Sequence, residues 1–172
     1  MKKIFRFINK NEFPVVHELM RKSFPPSEFR TYEGELALFD NSNYRVLAVE
    51  EKGVTQAFIA EWLLPSAHFI EHFAVSPEVR GRGLGTEIMH GYLERTKGSV
   101  VLEVETDETL KARRRIGFYE RLGFILSDVT YIQPLLRKKS PDVALQLMHY
   151  PAEISNRELQ RIKREIFQKV YV

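Results

Sequence analysis

Seven consecutive residues, Arg80-Gly-Arg-Gly-Leu-Gly-Thr86, concentrate glycine and arginine where a helix is predicted to begin. Lacking a Cβ, Gly81, Gly83 and Gly85 let backbone N–H groups approach an anion closely, and a helix start adds roughly half a positive charge. Arg80 and Arg82 contribute forked donors that match phosphate oxygens. The chemistry on offer is a diphosphate cradle. A P-loop requires a lysine before its Ser or Thr, and Gly85-Thr86 lacks it. The dinucleotide fingerprint G-x-G-x-x-G nearly fits from Gly81, with Thr86 at the third glycine and Glu103 where a ribose-binding carboxylate would stand. The plain alternative is a helix start with solvated arginines, although repeated glycine is a costly way to begin a helix.

Groups able to move protons lie on two predicted strands. Glu71 alternates with Phe73 and Val75, so all three share a face, while His72 points to the other face and reads as a hydrogen-bonded histidine. Glu103 interrupts the apolar run Val100 to Glu105. A carboxylate inside an apolar strand needs a partner or a wet cleft, so an ion pair with a nearby arginine is the structural alternative for each.

The elements that position these residues follow from periodicity. Lys3 to Ile8 reads as a strand, then Asn11 caps a helix through Phe13, Val16, Met20 and Phe24 that Pro25-Pro26 ends. A second helix is predicted over Thr31 to Phe39. Strands follow at Tyr44 to Glu50, Thr55 to Leu64 and His68 to Val75, the first two joined by the turn Glu51-Lys52-Gly53. The glycine-rich stretch opens an amphipathic helix that Gly98 ends, Val100 to Glu105 is a strand, and Glu108 to Leu122 is a basic helix. Strands at Phe124 to Ile132 and Val143 to Tyr150 precede a last helix, at about 155–170, with Ser155 and Glu158 as its capping box. The sum is an α/β fold: a mixed, mostly antiparallel seven-stranded sheet with helices on both faces. No linker or repeat divides the chain, so residues 1–172 are expected to form one domain.

Arg80-Gly81-Arg82-Gly83-Leu84-Gly85 matches the Gln/Arg-x-x-Gly-x-Gly/Ala loop of the GNAT (GCN5-related N-acetyltransferase) superfamily. Downstream, Phe118-Tyr119-Glu120-Arg121-Leu122-Gly123-Phe124 resembles the FYxxxGF signature of that superfamily. The resemblance extends from about Phe5 to Tyr150. It implies a sheet splayed between strands four and five, with the pantetheine arm of acetyl-CoA paired to the backbone of Phe73, Ala74 and Val75. It places the diphosphate on the amides of Gly81, Arg82, Gly83, Leu84, Gly85 and Thr86, flanked by Arg80, and it makes Tyr119 the acid for the departing CoA thiolate. The implied reaction is acetyl transfer to a primary amine, which attacks only when neutral, so a carboxylate must remove its proton. Glu71 is the first choice for that base and Glu103 the second. One position departs from the pattern: Ala112 stands where many members carry an asparagine that contacts the CoA arm. An arginine of the surrounding basic helix is expected either to replace that contact or to reach the CoA 3′-phosphate, and the plain alternative is a solvated helix face.

Acceptor choice in such proteins falls to the segments 24–40 and 133–141, which here hold Pro25, Pro26, Phe29, Tyr32 and Pro134, with Tyr131 close by. Glu61, Trp62 and Glu71 hint at a cationic acceptor, whether a small molecule or a peptide.

Composition excludes more than it assigns. With no cysteine there is no disulfide, thiolate nucleophile or cysteine metal site, and a cytoplasmic setting is expected. His17, His68, His72, His90 and His149 do not combine into a ligand set, so no metal is expected. No apolar run is long enough to span a membrane, and the N-terminus does not read as a signal peptide. A net charge of +3 from 26 basic and 23 acidic residues is nearly balanced. The basic helix admits a nucleic-acid-binding module, against which stands the absence of an aromatic stacking platform. Acyl-CoA binding without turnover is a further alternative. Monomer and homodimer are both open.

Overall fold

The computed structural model describes residues 3–172. Strand β1 (Ile4–Phe7) leads into helix α1 (Phe13–Ser23), and α2 (Tyr32–Ala37) precedes β2 (Tyr44–Glu51), β3 (Val54–Leu63) and β4 (His68–Val75). Helix α3 (Leu84–Arg95), β5 (Val100–Glu105), α4 (Leu110–Arg121), β6 (Ile125–Ile132), β7 (Ala144–Tyr150) and α5 (Asn156–Lys169) complete the chain. The expected elements are all present, with β4 and β5 bounded as their composition suggested.

The first helix is capped differently from the expectation. Asn9, not Asn11, is the cap: its side chain accepts from the Asn11 amide at 2.9 Å, and Glu12 accepts from the Asn9 amide at 3.1 Å. This reciprocal box closes a short 3-10 turn before α1, whose second residue, Pro14, is tolerated because first-turn N–H groups have no helical partner. Helices α4 and α5 follow the side-chain rule. Thr109 accepts from Ala112 at the start of α4 (3.0 Å), and Ser155 accepts from Glu158 at the start of α5 (3.2 Å).

All seven strands belong to one sheet, ordered β1-β2-β3-β4-β5-β7-β6. The pairs β1·β2, β2·β3, β5·β7 and β6·β7 are antiparallel, whereas β4 and β5 are parallel. That parallel ladder runs from His68↔Val100 to Ile70↔Leu102, and both strands continue beyond it. This is the mixed, mostly antiparallel seven-stranded sheet expected from the sequence.

Two compact units divide the chain. The first holds the segment up to Trp62, Glu71–Ile88 and Leu135–Ser140. Its buried residues include Phe13, Met20, Val46, Phe58 and Trp62, with the Phe13, Tyr32 and Phe39 rings in mutual contact around Phe13 at 5.7 and 5.3 Å. The second holds Leu63–Ile70, Met89–Pro134 and Pro141–Val172. Its buried residues include Leu102, Phe124, Leu147 and Met148, and Leu159, Ile162 and Ile166 form the buried stripe of α5. Among the described residues no helix is long and apolar enough to cross a membrane.

Candidate functional site

The glycine loop lies in the first unit. Chain leaving β4 makes a short turn over Pro77–Val79 and enters α3 at Leu84. Gly81 and Gly83 adopt φ of +81° and +73°, and a Cβ built at either would meet nothing within 4 Å. Side chains rarely adopt such a φ, and at these two residues the backbone faces open space. Gly83 also accepts the first helical bond, from the Glu87 amide at 3.1 Å. The amides at the start of α3 therefore sit behind a bare backbone surface, the form an anion site takes at a helix N-terminus. Arg82 is exposed. Arg80 turns inward: its Nε donates to the Val75 carbonyl (2.9 Å) and its Nη2 to Ser23 Oγ (3.0 Å). Much of the Arg80 fork is thus spent fixing the end of β4.

Glu71, also in the first unit, sits in a buried ionic cluster. Its carboxylate lies 2.9 Å from Arg30 Nη1, and Trp62 Nε1 donates to its second oxygen at 3.2 Å. The same Arg30 nitrogen reaches Glu35 at 3.4 Å, and the Arg30 amide donates to that carboxylate at 2.8 Å. Side-chain exposures of 13% for Arg30, 4% for Glu71 and 0% for Glu35 put two carboxylates and one guanidinium out of water. Burial works against the Arg30 charge, and the fields of Glu71 and Glu35 more than restore it, holding its pKa above the ordinary value. The neighbouring Tyr44 hydroxyl is buried without a hydrogen-bond partner, and burial, then Glu35 and Glu71, push its pKa up. A second arginine locks the arrangement from outside. Arg137 donates to the carbonyls of Phe29 (2.9 Å) and Arg30 (3.0 Å) and lies over the Phe29 ring at 4.6 Å. It ties the segment before α2 to the segment after β6. His72 is hydrogen-bonded, as expected, to the Glu28 carbonyl at 2.7 Å, and Glu61 is held by Arg45 at 2.6 Å.

The second unit holds Tyr119 and Glu103. Tyr119 is buried on α4, with its ring 5.5 Å from Phe124 and 5.1 Å from Phe118. Burial pushes its hydroxyl up to about 12, opposed by the positive charge of Arg115 one turn earlier. The phenol thus stays protonated at neutral pH. Arg115 lines a small, shallow cleft with Glu105, Lys111 and Ala112. Ala112, the position that departs from the family pattern, thus shares a cleft with an arginine at i+3.

Glu103 accepts hydrogen bonds from two phenols. Tyr131, on β6, donates to one carboxylate oxygen, and Tyr171, just past α5, donates to the other at 2.6 Å. Strand register explains the first contact. Glu103 lies opposite Leu147 and Tyr131 opposite Leu145, so both side chains share one face across β7. Burial, then the Glu103 charge, push the Tyr131 hydroxyl well up, keeping it a donor.

Arg30, Glu35, Arg137 and Tyr171 were not legible as site residues. Their partners lie on other elements, such as Glu71 for Arg30, 41 residues away, and Glu103 for Tyr171, 68 residues away. No local spacing encodes that. Among the described residues no group of three or more His, Cys, Asp or Glu side chains could hold a metal ion.

Residues 13–124 match the model of the acetyltransferase (GNAT) family. A GNAT-family protein from Bacteroides thetaiotaomicron has a similar structure, with TM-score 0.90, 28% identity and 98% of both chains covered. The ribosomal-protein-S18-alanine N-acetyltransferase of Escherichia coli shares the fold at TM-score 0.66 and 17% identity, over 90% of this chain and 97% of that one. So does Arabidopsis thaliana NAA60 in complex with acetyl-CoA, at TM-score 0.66 and 15% identity, over 87% and 98%. No curated protein matches the chain.

Proposed function

Because the chain belongs to the acetyltransferase (GNAT) family, we propose that it moves the acetyl group of acetyl-CoA onto a primary amine. The observation that carries this reading is the open backbone of Gly81 and Gly83 at the start of α3. The amides of Gly81, Arg82, Gly83, Leu84, Gly85 and Thr86 hold the diphosphate, with Arg82 beside them. The Phe73–Val75 backbone, just past the paired part of β4, takes the pantetheine arm.

In the proposed reaction the amine nitrogen attacks the thioester carbonyl, a carboxylate takes the proton the amine must lose, and the C–S bond breaks. Tyr119 delivers its proton to the departing sulfur, and its raised pKa supports the protonated form this needs. For the base, the geometry favours Glu103 over Glu71. Glu71 is engaged within one buried cluster by the Arg30 guanidinium at 2.9 Å and by Trp62 Nε1 at 3.2 Å, whereas Glu103 lies in the unit that holds Tyr119 and accepts from two phenols. Glu71 then acts by holding Arg30 and Trp62 in place. The acceptor is a small-molecule or peptide amine, and the domain is proposed to act as one unit of 172 residues, in the cytoplasm, without a metal.

Calorimetric titration with acetyl-CoA, and with NAD as control, tests the cradle. Micromolar binding of acetyl-CoA alone supports the reading, and binding of NAD alone overturns it. Release of CoA in the presence of spermidine or an alanine-initiated peptide tests transfer. Glu103→Gln is expected to remove most turnover, and Glu71→Gln much less. The reverse order would return the base to Glu71.

A further inference from the structure

We infer that the C-terminal tail completes the active site: Tyr171, together with Tyr131, is a positioning residue that fixes the carboxylate of Glu103. The inference rests on Glu103 being the base, and it assigns roles to two residues outside the segment 13–124 that matches the family.

The geometry is specific. The two phenols take different oxygens of one carboxylate, Tyr131 donating to Oε2 and Tyr171 to Oε1 at 2.6 Å. A carboxylate at the end of two rotatable bonds, held at both oxygens, has one orientation left. Hydrogen bonds to a charged acceptor are about twice as strong as neutral ones, so the hold is firm. Each phenol is itself fixed. The Tyr131 ring packs against Phe167 at 5.1 Å, and Lys163 Nζ lies 5.4 Å above it. Tyr171 packs on the same Phe167 at 6.0 Å, directly after Val170, which is buried and closes α5.

Helix α5 explains why the tail is placed so well. Leu159, Ile162 and Ile166 bury one stripe, and the Val170 amide bonds to the Ile166 carbonyl at 2.8 Å. That registers the last turn, and Tyr171 leaves it aimed at Glu103. Phe167 packs against both tyrosines, and Lys163, one turn earlier, lies over the Tyr131 ring. A helix that served only to cover the sheet would not need to end on a phenol bonded to a half-buried acid.

Kinetics separates positioning from bulk stability. With spermidine and an alanine-initiated peptide as acceptors, Tyr171→Phe and Tyr131→Phe should each lower kcat about tenfold, the loss of one hydrogen bond to a charged group. KM for acetyl-CoA should not move. In a Glu103→Gln background the same two substitutions should have little further effect, because the carboxylate they orient is gone. A chain ending at Val170 should match Tyr171→Phe. Full additivity with Glu103→Gln, or unchanged kcat in both phenylalanine variants, overturns the inference. If Glu103→Gln itself leaves turnover intact, the base assignment fails instead. If the wild type acetylates neither amine, proton NMR decides. Two slowly exchanging phenolic hydroxyl signals that vanish on Tyr→Phe and shift on Glu103→Gln support the clasp. Their absence from the wild type overturns it.

Discussion

Removing one buried cation should cost the first unit about as much as a large core truncation does. In Arg30→Met the alkyl stem is roughly kept and the charge is lost, leaving Glu35 and Glu71, with 0% and 4% side-chain exposure, facing each other without a guanidinium. Breaking a buried pair by deleting one partner costs about 3–5 kcal/mol, against a total stability of about 5–15 kcal/mol for a typical domain. For a chain of this length that corresponds to a fall in Tm of roughly 10 °C. Glu71→Gln should cost less, about 1–2 kcal/mol, because Arg30 keeps Glu35 and the amide oxygen can still accept from Trp62. The double variant should be milder than the sum of the singles, since the second change removes one of the charges the first left unmatched. Urea unfolding followed by far-UV circular dichroism measures all three. Trp62, the only tryptophan in the chain, donates to Glu71 and reports the same site through its emission. A loss below about 1 kcal/mol in Arg30→Met, or strict additivity in the double variant, would refute the view that Arg30 neutralises both acids.

Tyr119→Phe should lower kcat by about a hundredfold with acetyl-CoA affinity unchanged by calorimetry, because the ring packing stays and only the proton is lost. Gly83→Glu should abolish acetyl-CoA binding by bulk and like charge. Gly53→Ala, at a similar φ of +76° in the β2–β3 turn, should cost about 1–2 kcal/mol of stability yet bind normally, which separates backbone strain from the cradle. His17 packs against the Phe29 and Tyr32 rings, and burial lowers its pKa. The unfolded chain therefore binds a proton more readily, so stability present above about pH 6.5 falls as pH drops through the lowered folded value. The urea midpoint should decline from pH 7 to pH 5, and less steeply in His17→Gln.

Local patterns carried most of the fold. The strands β4 and β5 were legible because β-branched and aromatic residues run between turn residues, and α5 because its apolar residues recur at helical spacing under a Ser155 cap. The side-chain cap ahead of α1, which closes the 3-10 turn before it, was misplaced because Asn9 and Asn11 are chemically equivalent two residues apart. Only Glu12, reaching back to the Asn9 amide, selects between them. The backbone of the glycine loop was legible for a related reason: positive φ favours glycine, so Gly81 and Gly83 announce their conformation directly.

The carboxylates show where this kind of reading ends. Alternation placed Glu71 with Phe73 and Val75, and it placed Glu103 within an apolar strand, but both statements concern faces, not partners. A carboxylate's chemistry depends on what meets its oxygens. For Glu71 that is a guanidinium from the segment before α2, and for Glu103 it is a phenol from β6 and another from the last turn of the chain. Each is a long-range contact that folding creates and no spacing encodes. Ranking Glu71 first was reasonable from its strand neighbours. The proposal takes Glu103 instead because Glu71 is committed to Arg30 and Trp62. On the proposed reading, one hydroxyl at position 171 sets how the Glu103 carboxylate is held without touching the glycine loop.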